Sequence, residues 1–162
     1  MPCIRGMENS PLQEILYKDR PERIQYEGMT VDLKVSLSGY NCSRTLRLNM
    51  ADTLTTLHNA IQSAFEFDND HLYAFYVKNA YAIQCYMPGE YGDNGEIPVE
   101  ETYIGQFADK KDTAFRYLFD FGDEWWFDIK TVKITEGYVP EVQVIQQHNE
   151  SPAQYGNGDE YW

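Results

Sequence analysis

Hydrophobic and polar residues alternate with a period of two over several stretches, a pattern typical of strands that bury one face. The first stretch places an apolar stripe on one face: Val31, Leu33, Val35 and Leu37. A turn signal at 38–41 and a return strand at 45–50 follow. From 54 to 65 the apolar residues recur at helical spacing, which predicts one amphipathic helix packed on the sheet. Strands at about 71–77 and 82–87 complete the strand, strand, helix, strand order of a β-grasp-like unit.

Residues 115–129, FRYLFDFGDEWWFDI, predict an aromatic β-hairpin. Gly122 and Asp123 form the expected two-residue turn, with Gly122 at its positive-φ position. This turn sets Phe119 opposite Trp126 and makes both faces largely aromatic. We therefore expect the hairpin to be central, to be covered on two sides and to extend the sheet. The predicted fold is α+β and mostly antiparallel, with one principal helix.

Three regions divide the chain. Residues 1–28 lack sustained periodicity and are expected to form an N-terminal extension, 29–148 form a single α+β domain, and 149–162 form an aromatic and acidic C-terminal tail. An unstructured tail rarely carries Trp and Tyr, so we expect it to dock, by preference on its own domain. The candidate binding residues are four aromatics of the hairpin and the tail: Trp125, Trp126, Tyr161 and Trp162.

Composition narrows the class of protein. Hydrophobic residues make up 43% of the chain and aromatics 15%, which favours a globular protein over a disordered one. No apolar run approaches the roughly 20 residues that span a bilayer. The first residues also lack a continuous apolar signal region, so we expect no membrane association and a cytoplasmic location. Three cysteines without CxxC spacing indicate neither a disulfide framework nor a zinc site.

The net charge of −13 bears on partners. Such an excess of acid repels phosphate backbones, and the basic residues form no obvious stripe along the sequence. Direct nucleic-acid binding through a basic surface is therefore not expected. Solubility, salt adaptation and mimicry of DNA are all compatible with this charge.

The segment just after the predicted helix is rich in oxygen and imidazole groups. Asp68, Asp70 and His71 have the chemistry to bind a divalent cation or supply a general base, with Asp120 or Asp123 contributed by the hairpin turn. The alternative is a helix-terminating turn in which Asn69 or Asp70 adopts a left-handed conformation. We favour the turn, because a metal site needs several convergent ligands.

A second acidic segment, PGEYGDNGEIPVEE, partly matches a calcium-binding loop. With Gly95 at the sixth position, Glu90, Asn94 and Glu101 take ligand positions, and Asp70 and His71 are the other weak candidates for metal ligands. Gly92 and Pro98 occupy positions where ligands are usual, so we favour an acidic surface loop. Beyond the divalent cation that these residues indicate, no cofactor is expected.

Four pieces of the chain, in order, resemble the Ri-plasmid (pRiA-type) ORF-3-like family. The pieces are TLRL at 45–48, LTTLHNAIQ at 54–62, FDNDHLYAF at 67–75 and YLFDFGDEW at 117–125. The resemblance implies a recognisable fold, a setting of plasmids and mobile elements, and no established activity. Members commonly read Asp-Phe-Gly-Asp-x-Trp-x-His-x-Ile, whereas Phe127 stands at the histidine position here. A role built on that histidine is therefore not carried over.

These observations favour a non-catalytic protein-binding or regulatory domain acting on a protein partner. The alternative is a metal-dependent or acid–base enzyme centred on Asp68, Asp70 and His71. An acidic DNA mimic is a minor alternative. Convergence of these acids with His71 in a pocket would favour the enzyme, and scattered acids would favour the binding domain.

Overall fold

The computed structural model describes residues 22–91 and 95–155. The strands are β1 (Met29–Leu37), β2 (Ser43–Asn49), β3 (Tyr73–Lys78), β4 (Ile83–Met87), β5 (Ile97–Pro98), β6 (Ala114–Phe119), β7 (Trp125–Glu136) and β8 (Gln143–His148). The α-helix, α1, spans Leu54–Ala64. Short 3₁₀ turns lie at Arg23–Tyr26, Gly89–Tyr91, Val99–Glu101 and Ile104–Gln106. Among the described residues, no helix has the length and apolarity needed to cross a membrane.

All eight strands form one sheet in the order β5-β4-β3-β6-β7-β1-β2-β8, antiparallel except for the β4–β5 pair. Over the described residues, the predicted α+β class, with a mostly antiparallel sheet and one helix, is confirmed. The β-grasp-like arrangement is not confirmed, because the β6–β7 hairpin lies between β1 and β3. This hairpin pairs with β3 on one side and β1 on the other, so it is the centre of the sheet.

The register predicted for the hairpin is wrong by one residue. Phe119 pairs with Trp125, and Leu118 pairs with Trp126, because the connection has five residues, Asp120–Glu124. Asp120 and Glu124 have positive φ, and Gly122 does not. The Asp120 carboxylate accepts the amide hydrogens of Gly122 and Asp123, which stabilises the longer turn.

The corrected register divides the hairpin into a buried and an exposed face. The helix-covered inner face carries the large core residues of the hairpin: Phe115, Tyr117, Phe119, Trp125, Phe127 and Ile129. The opposite face, called the open face below, carries the buried Leu118 together with Arg116, Trp126, Asp128 and Lys130. Three of these are solvent-exposed, so the expectation that both faces are covered is wrong.

The helix packs on the inner face through Leu54, Leu57 and Ile61. Just beyond its end, Phe65 lies with its ring centroid 4.9 Å from that of Phe127, so aromatic packing joins helix and hairpin. Phe127 is completely buried. The position at which the pattern Asp-Phe-Gly-Asp-x-Trp-x-His-x-Ile has histidine is therefore a core position in this chain.

Arg44 is a buried cation that ties β2 to two other parts of the chain. Its Nε donates to the Ala64 carbonyl at the end of α1, and its Nη1 donates to the carbonyls of Ser43, His148 and Asn149. Its guanidinium also lies 5.0 Å from the ring centroid of Phe65. The negative end of the helix dipole and three further carbonyls therefore take the place of a carboxylate partner.

The predicted extension and tail are described only in part. Residues 1–21 and 156–162 lie outside the described residues. Within the extension, Tyr26 packs against Tyr103, and a Cβ placed on Gly105 would meet the Tyr26 ring at 2.4 Å. Within the tail, Gln154 and Tyr155 contact the segment that connects α1 to β3.

Candidate functional site

The end of α1 places the predicted Asp68–His71 segment beside the hairpin turn. Glu66 and Asn69 both have positive φ, and the Phe67 amide donates to the Gln62 carbonyl. The chain thus leaves the helix through a left-handed residue and turns again at Asn69 before β3. The predicted left-handed turn is confirmed at Asn69.

Four side chains converge there and are called the His71 cluster: Asp70, His71, Asp120 and Tyr155. The His71 Nε2 lies 3.4 Å from Asp120 Oδ2, 3.6 Å from Asp70 Oδ1 and 3.1 Å from the Tyr155 hydroxyl. Asp120 reaches this position from the hairpin turn, where it is 7% exposed. The sequence therefore predicted three of the four members, and Tyr155 is the addition.

The other two predicted acids, Asp68 and Asp123, make their hydrogen bonds here through backbone amides and not through their carboxylates. The Asp68 amide donates to Gln154 Oε1 at 2.6 Å, and the Asp123 amide donates to Asp120. Within residues 22–91 and 95–155, no group of three or more His, Cys, Asp or Glu side chains is arranged to hold a metal ion.

The strongest contacts of the His71 cluster hold the C-terminal segment. The Tyr155 hydroxyl donates to Asp70, and Gln154 Nε2 donates to the same carboxylate at 3.1 Å. The Tyr155 hydrogen bond, helped by Gln154 and His71, keeps the pKa of Asp70 below its usual value. The same bond raises the pKa of Tyr155 to about 12. The geometry is that of a surface clasp, since Asp70 and His71 are 44% and 38% exposed.

His58 forms a separate, buried network on the inner face. Its ring stacks on Tyr73 at 3.5 Å, and its nitrogens lie 2.5 Å from the Tyr117 hydroxyl and 2.6 Å from Asn69 Oδ1. Since Asn69 Oδ1 only accepts, Nε2 carries the proton and Nδ1 accepts from Tyr117, as in a neutral imidazole. Burial lowers the pKa of His58 to about 4.

In the segment predicted as a calcium-binding loop, the acid that accepts a backbone hydrogen bond is Glu100, which was not among the proposed ligands. Glu100 accepts the Gly89 amide at 3.0 Å, whereas Glu90 and Glu101 lie in two short 3₁₀ turns. Gly95 has the positive φ of a sharp bend. Asn94 lies outside the described residues.

The two hairpin tryptophans lie on opposite faces of the sheet. Trp125 is half-buried against Phe67 and Tyr40, and its buried Nε1 has no hydrogen-bond partner among the described residues. Trp126 lies on the open face, where its Nε1 donates to Glu124 at 3.2 Å. The other two candidate binding residues, Tyr161 and Trp162, lie outside the described residues.

The open face is a surface that sequence reasoning missed. It carries two grooves, of about 700 Å³ along β7-β1-β2-β8 and about 530 Å³ along β1-β7-β6-β3-β4. Lys34 and Ser36 of β1 line both grooves, so the two meet there. The signal was present in the polar positions of the alternating strands, but only the strand order brings distant strands together.

Open-face side chains lie in cross-strand rows. One row runs from Tyr76 through Arg116 and Asp128 to Ser36, and the next joins Lys130 to Lys34. Arg116 pairs with Asp128 at 2.9 Å, and its guanidinium lies 4.3 Å from the Trp126 ring centroid. The Trp126 ring in turn lies 5.6 Å from that of Tyr76, so the centre of the open face is a packed aromatic and cationic layer.

Comparison with known structures supports the fold. The chain superposes on a crystal structure of protein of unknown function MM3350 from Methanosarcina mazei Go1 with a TM-score of 0.68. The match has 20% identity and covers 82% of this chain and 77% of that one. Identity this low shows a shared fold alone.

Sequence comparison identifies the family. Uncharacterized protein y4hQ of Sinorhizobium fredii is 32% identical over 80 residues, which are 48% of this chain and 39% of that protein. The match therefore spans less than half of this curated relative. The family model for plasmid pRiA4b ORF-3-like protein matches residues 28–157. The chain belongs to the plasmid pRiA4b ORF-3-like protein family.

Proposed function

We propose that this chain is a non-catalytic protein-binding domain whose ligand surface is the open face of the sheet. One observation carries the proposal. Helix α1 covers one face of the sheet, while two grooves that meet at Lys34 run across the other. Ligand sites are commonly concave, with an apolar floor and a few polar groups that orient the ligand, and the second groove has this character.

The contacts of the His71 cluster favour binding over catalysis. Asp70 accepts hydrogen bonds from Gln154 and Tyr155, and Asp120 accepts those of its own turn. These carboxylates hold neighbouring parts of the chain in place. A regulatory role on a partner in a plasmid or mobile-element setting is compatible with a domain of this kind.

A random-peptide library displayed on phage tests the proposal with the full chain as bait. We expect peptides whose binding is lost in Lys34→Glu, because Lys34 lies where the grooves meet. The matched control is Arg23→Glu, which makes the same charge change in a turn outside both grooves. The proposal would be contradicted if the selected peptides bound Lys34→Glu and Arg23→Glu as tightly as the wild type. It would also be contradicted if no peptide were selected.

An acid–base or metal-dependent enzyme at the His71 cluster is the second candidate function. The convergence of two carboxylates and a phenol on His71 Nε2 favours it. Thermal unfolding in EDTA, and then with calcium, magnesium, manganese or zinc, tests the metal form of this candidate. A stabilisation that disappears in His71→Gln would support it, and no stabilisation by any ion would count against it.

A further inference from the structure

We infer that the ligand of the open face is an acidic segment of a partner protein with apolar residues between its carboxylates. This inference rests on the proposed function and names the chemistry of the partner. It follows from the distribution of charge on the open face, the state of each cation there, and the apolar floor of the second groove.

The open face is basic although the chain is strongly acidic. Six of the chain's 13 Lys and Arg side chains occupy open-face strand positions: Lys34, Arg47, Lys78, Arg116, Lys130 and Lys133. Asp32 and Asp128 are the acids on the same rows, Asp112 and Glu124 contact Lys130 and Trp126 from the adjoining turns, and Glu96 approaches the edge near Tyr76 and Cys85. A net charge of −13 therefore conceals a local excess of positive charge.

Half of these cations are already paired. Arg47 makes two hydrogen bonds to Asp32, of 2.8 and 3.0 Å, and Arg116 pairs with Asp128. Lys130 lies 3.4 Å from Asp112. These pairs stabilise the strands and leave little charge for a ligand.

The other three cations, Lys34, Lys78 and Lys133, form no ion pair with any described residue, and all three are exposed. Lys34 lies at the junction, Lys133 lines the first groove and Lys78 lines the second. A ligand that follows the grooves passes all three ammonium groups. Carboxylates spaced along one segment are the complementary chemistry.

The second groove also offers apolar side chains beside Lys78. Its lining includes Tyr76 and Ile83, and Ile83 is 64% exposed. An exposed isoleucine directly opposite Lys78 suits a segment that combines acidic with aliphatic or aromatic side chains.

Two features favour a peptide over a nucleic acid. The guanidinium of Arg116 already lies over the Trp126 ring, so this indole is not a free platform for stacking a base. A long phosphate backbone would also extend beyond the face and meet the acidic remainder of the surface. A short acidic segment meets only the local lysines, since charges more than about 8 Å away are screened at physiological salt.

Fluorescence anisotropy with three labelled probes tests the inference on the full chain. The probes are a short peptide of alternating glutamate and leucine, the same peptide with glutamine for glutamate, and single-stranded oligo(dT). We expect the glutamate peptide to bind most tightly. Its affinity should fall about tenfold in Lys34→Gln/Lys78→Gln, the loss that two exposed ion pairs together account for. Arg23→Gln, which removes one exposed charge outside the grooves, should leave the affinity unchanged.

The outcomes separate the inference from the proposed function. Equal, open-face-dependent binding of the glutamine peptide would overturn the acidic ligand and leave the protein-binding surface standing. Tighter binding of oligo(dT) with the same lysine dependence would overturn both in favour of a nucleic-acid surface. Glutamate-peptide binding that the double variant does not weaken would overturn the inference, because the lysines would then play no part.

Discussion

The buried His58 network makes folding stability sensitive to mild acid. His58 is 4% exposed, stacks on Tyr73 and accepts a hydrogen bond from Tyr117, so only the neutral imidazole fits this site. Its pKa is about 4 in the folded protein against 6.5 for the free side chain. Because the folded pKa is the lower one, the stabilisation is fully present above pH 6.5 and is lost as the pH falls toward 4.

The size of the effect follows from these two pKa values. Between pH 8 and pH 4.5 the unfolded chain takes up a proton that the folded chain excludes, which removes about 2.5 kcal/mol from the free energy of unfolding. This is a large part of the 5–15 kcal/mol or so that stabilises a typical domain. Urea unfolding followed by tryptophan fluorescence over this pH range measures it.

The variant His58→Gln isolates the contribution of the imidazole. Glutamine can donate and accept but does not titrate, and the carboxylates that titrate below pH 5 are common to both proteins. We expect the wild type to lose about 2.5 kcal/mol more than the variant over the range. Equal losses would refute the reasoning. If the variant does not fold, an NMR titration of the His58 imidazole in the wild type measures its pKa directly. A pKa near 6.5 would also refute the reasoning, which requires a value of about 4.

Four further predictions concern single contacts. Arg44→Met should lower the free energy of unfolding by roughly 3–5 kcal/mol, because four backbone carbonyls lose a charged donor; a loss below about 1 kcal/mol in urea unfolding would contradict this. Tyr155→Phe should leave the urea midpoint unchanged but speed proteolytic cleavage near residue 155. Unchanged cleavage would show that the hydrogen bond from Tyr155 to Asp70 does not hold this segment in place. Asp120→Asn should match the wild type in thermal unfolding, whereas Asp120→Ala should cost about 1–2 kcal/mol at this positive φ; equal variants would argue against turn capping. Gly105→Ala should cost about 1–3 kcal/mol through its clash with Tyr26, and the same cost in a Tyr26→Ala background would exclude that clash.

The hydrophobic patterns predicted the strands and the helix well, because the alternation or helical spacing of a segment depends mainly on that segment's own residues. The alternation from Val31 to Leu37 corresponds to β1, and the helical spacing after Thr53 corresponds to α1. The hairpin was predicted too, but its register was not. Asp120 adopts a left-handed conformation and caps a five-residue connection, a choice that alternation on either side does not reveal.

The strand order could not be predicted, because it depends on pairing between distant segments. β1 pairs with β7 across about a hundred residues, which displaces β3 from the position a β-grasp-like unit would give it. The open face depends on the same pairing. Lys34 and Lys130 are far apart along the chain and become neighbours only through this register.

The candidate site was predicted in part. The meeting of Asp70, His71 and Asp120 was proposed from the chemistry of carboxylates beside an imidazole, and all three follow the ends of secondary-structure elements. Tyr155 reaches them only because residues after β8 return to the end of α1, which no local pattern indicated.

An NMR titration of the labelled full chain with the alternating glutamate–leucine peptide tests directly whether the open face binds an acidic segment. We expect amide shifts concentrated on the residues that line the two grooves, with the largest near Lys34, Tyr76 and Arg116. Shifts confined to α1 or to the His71 cluster would contradict it.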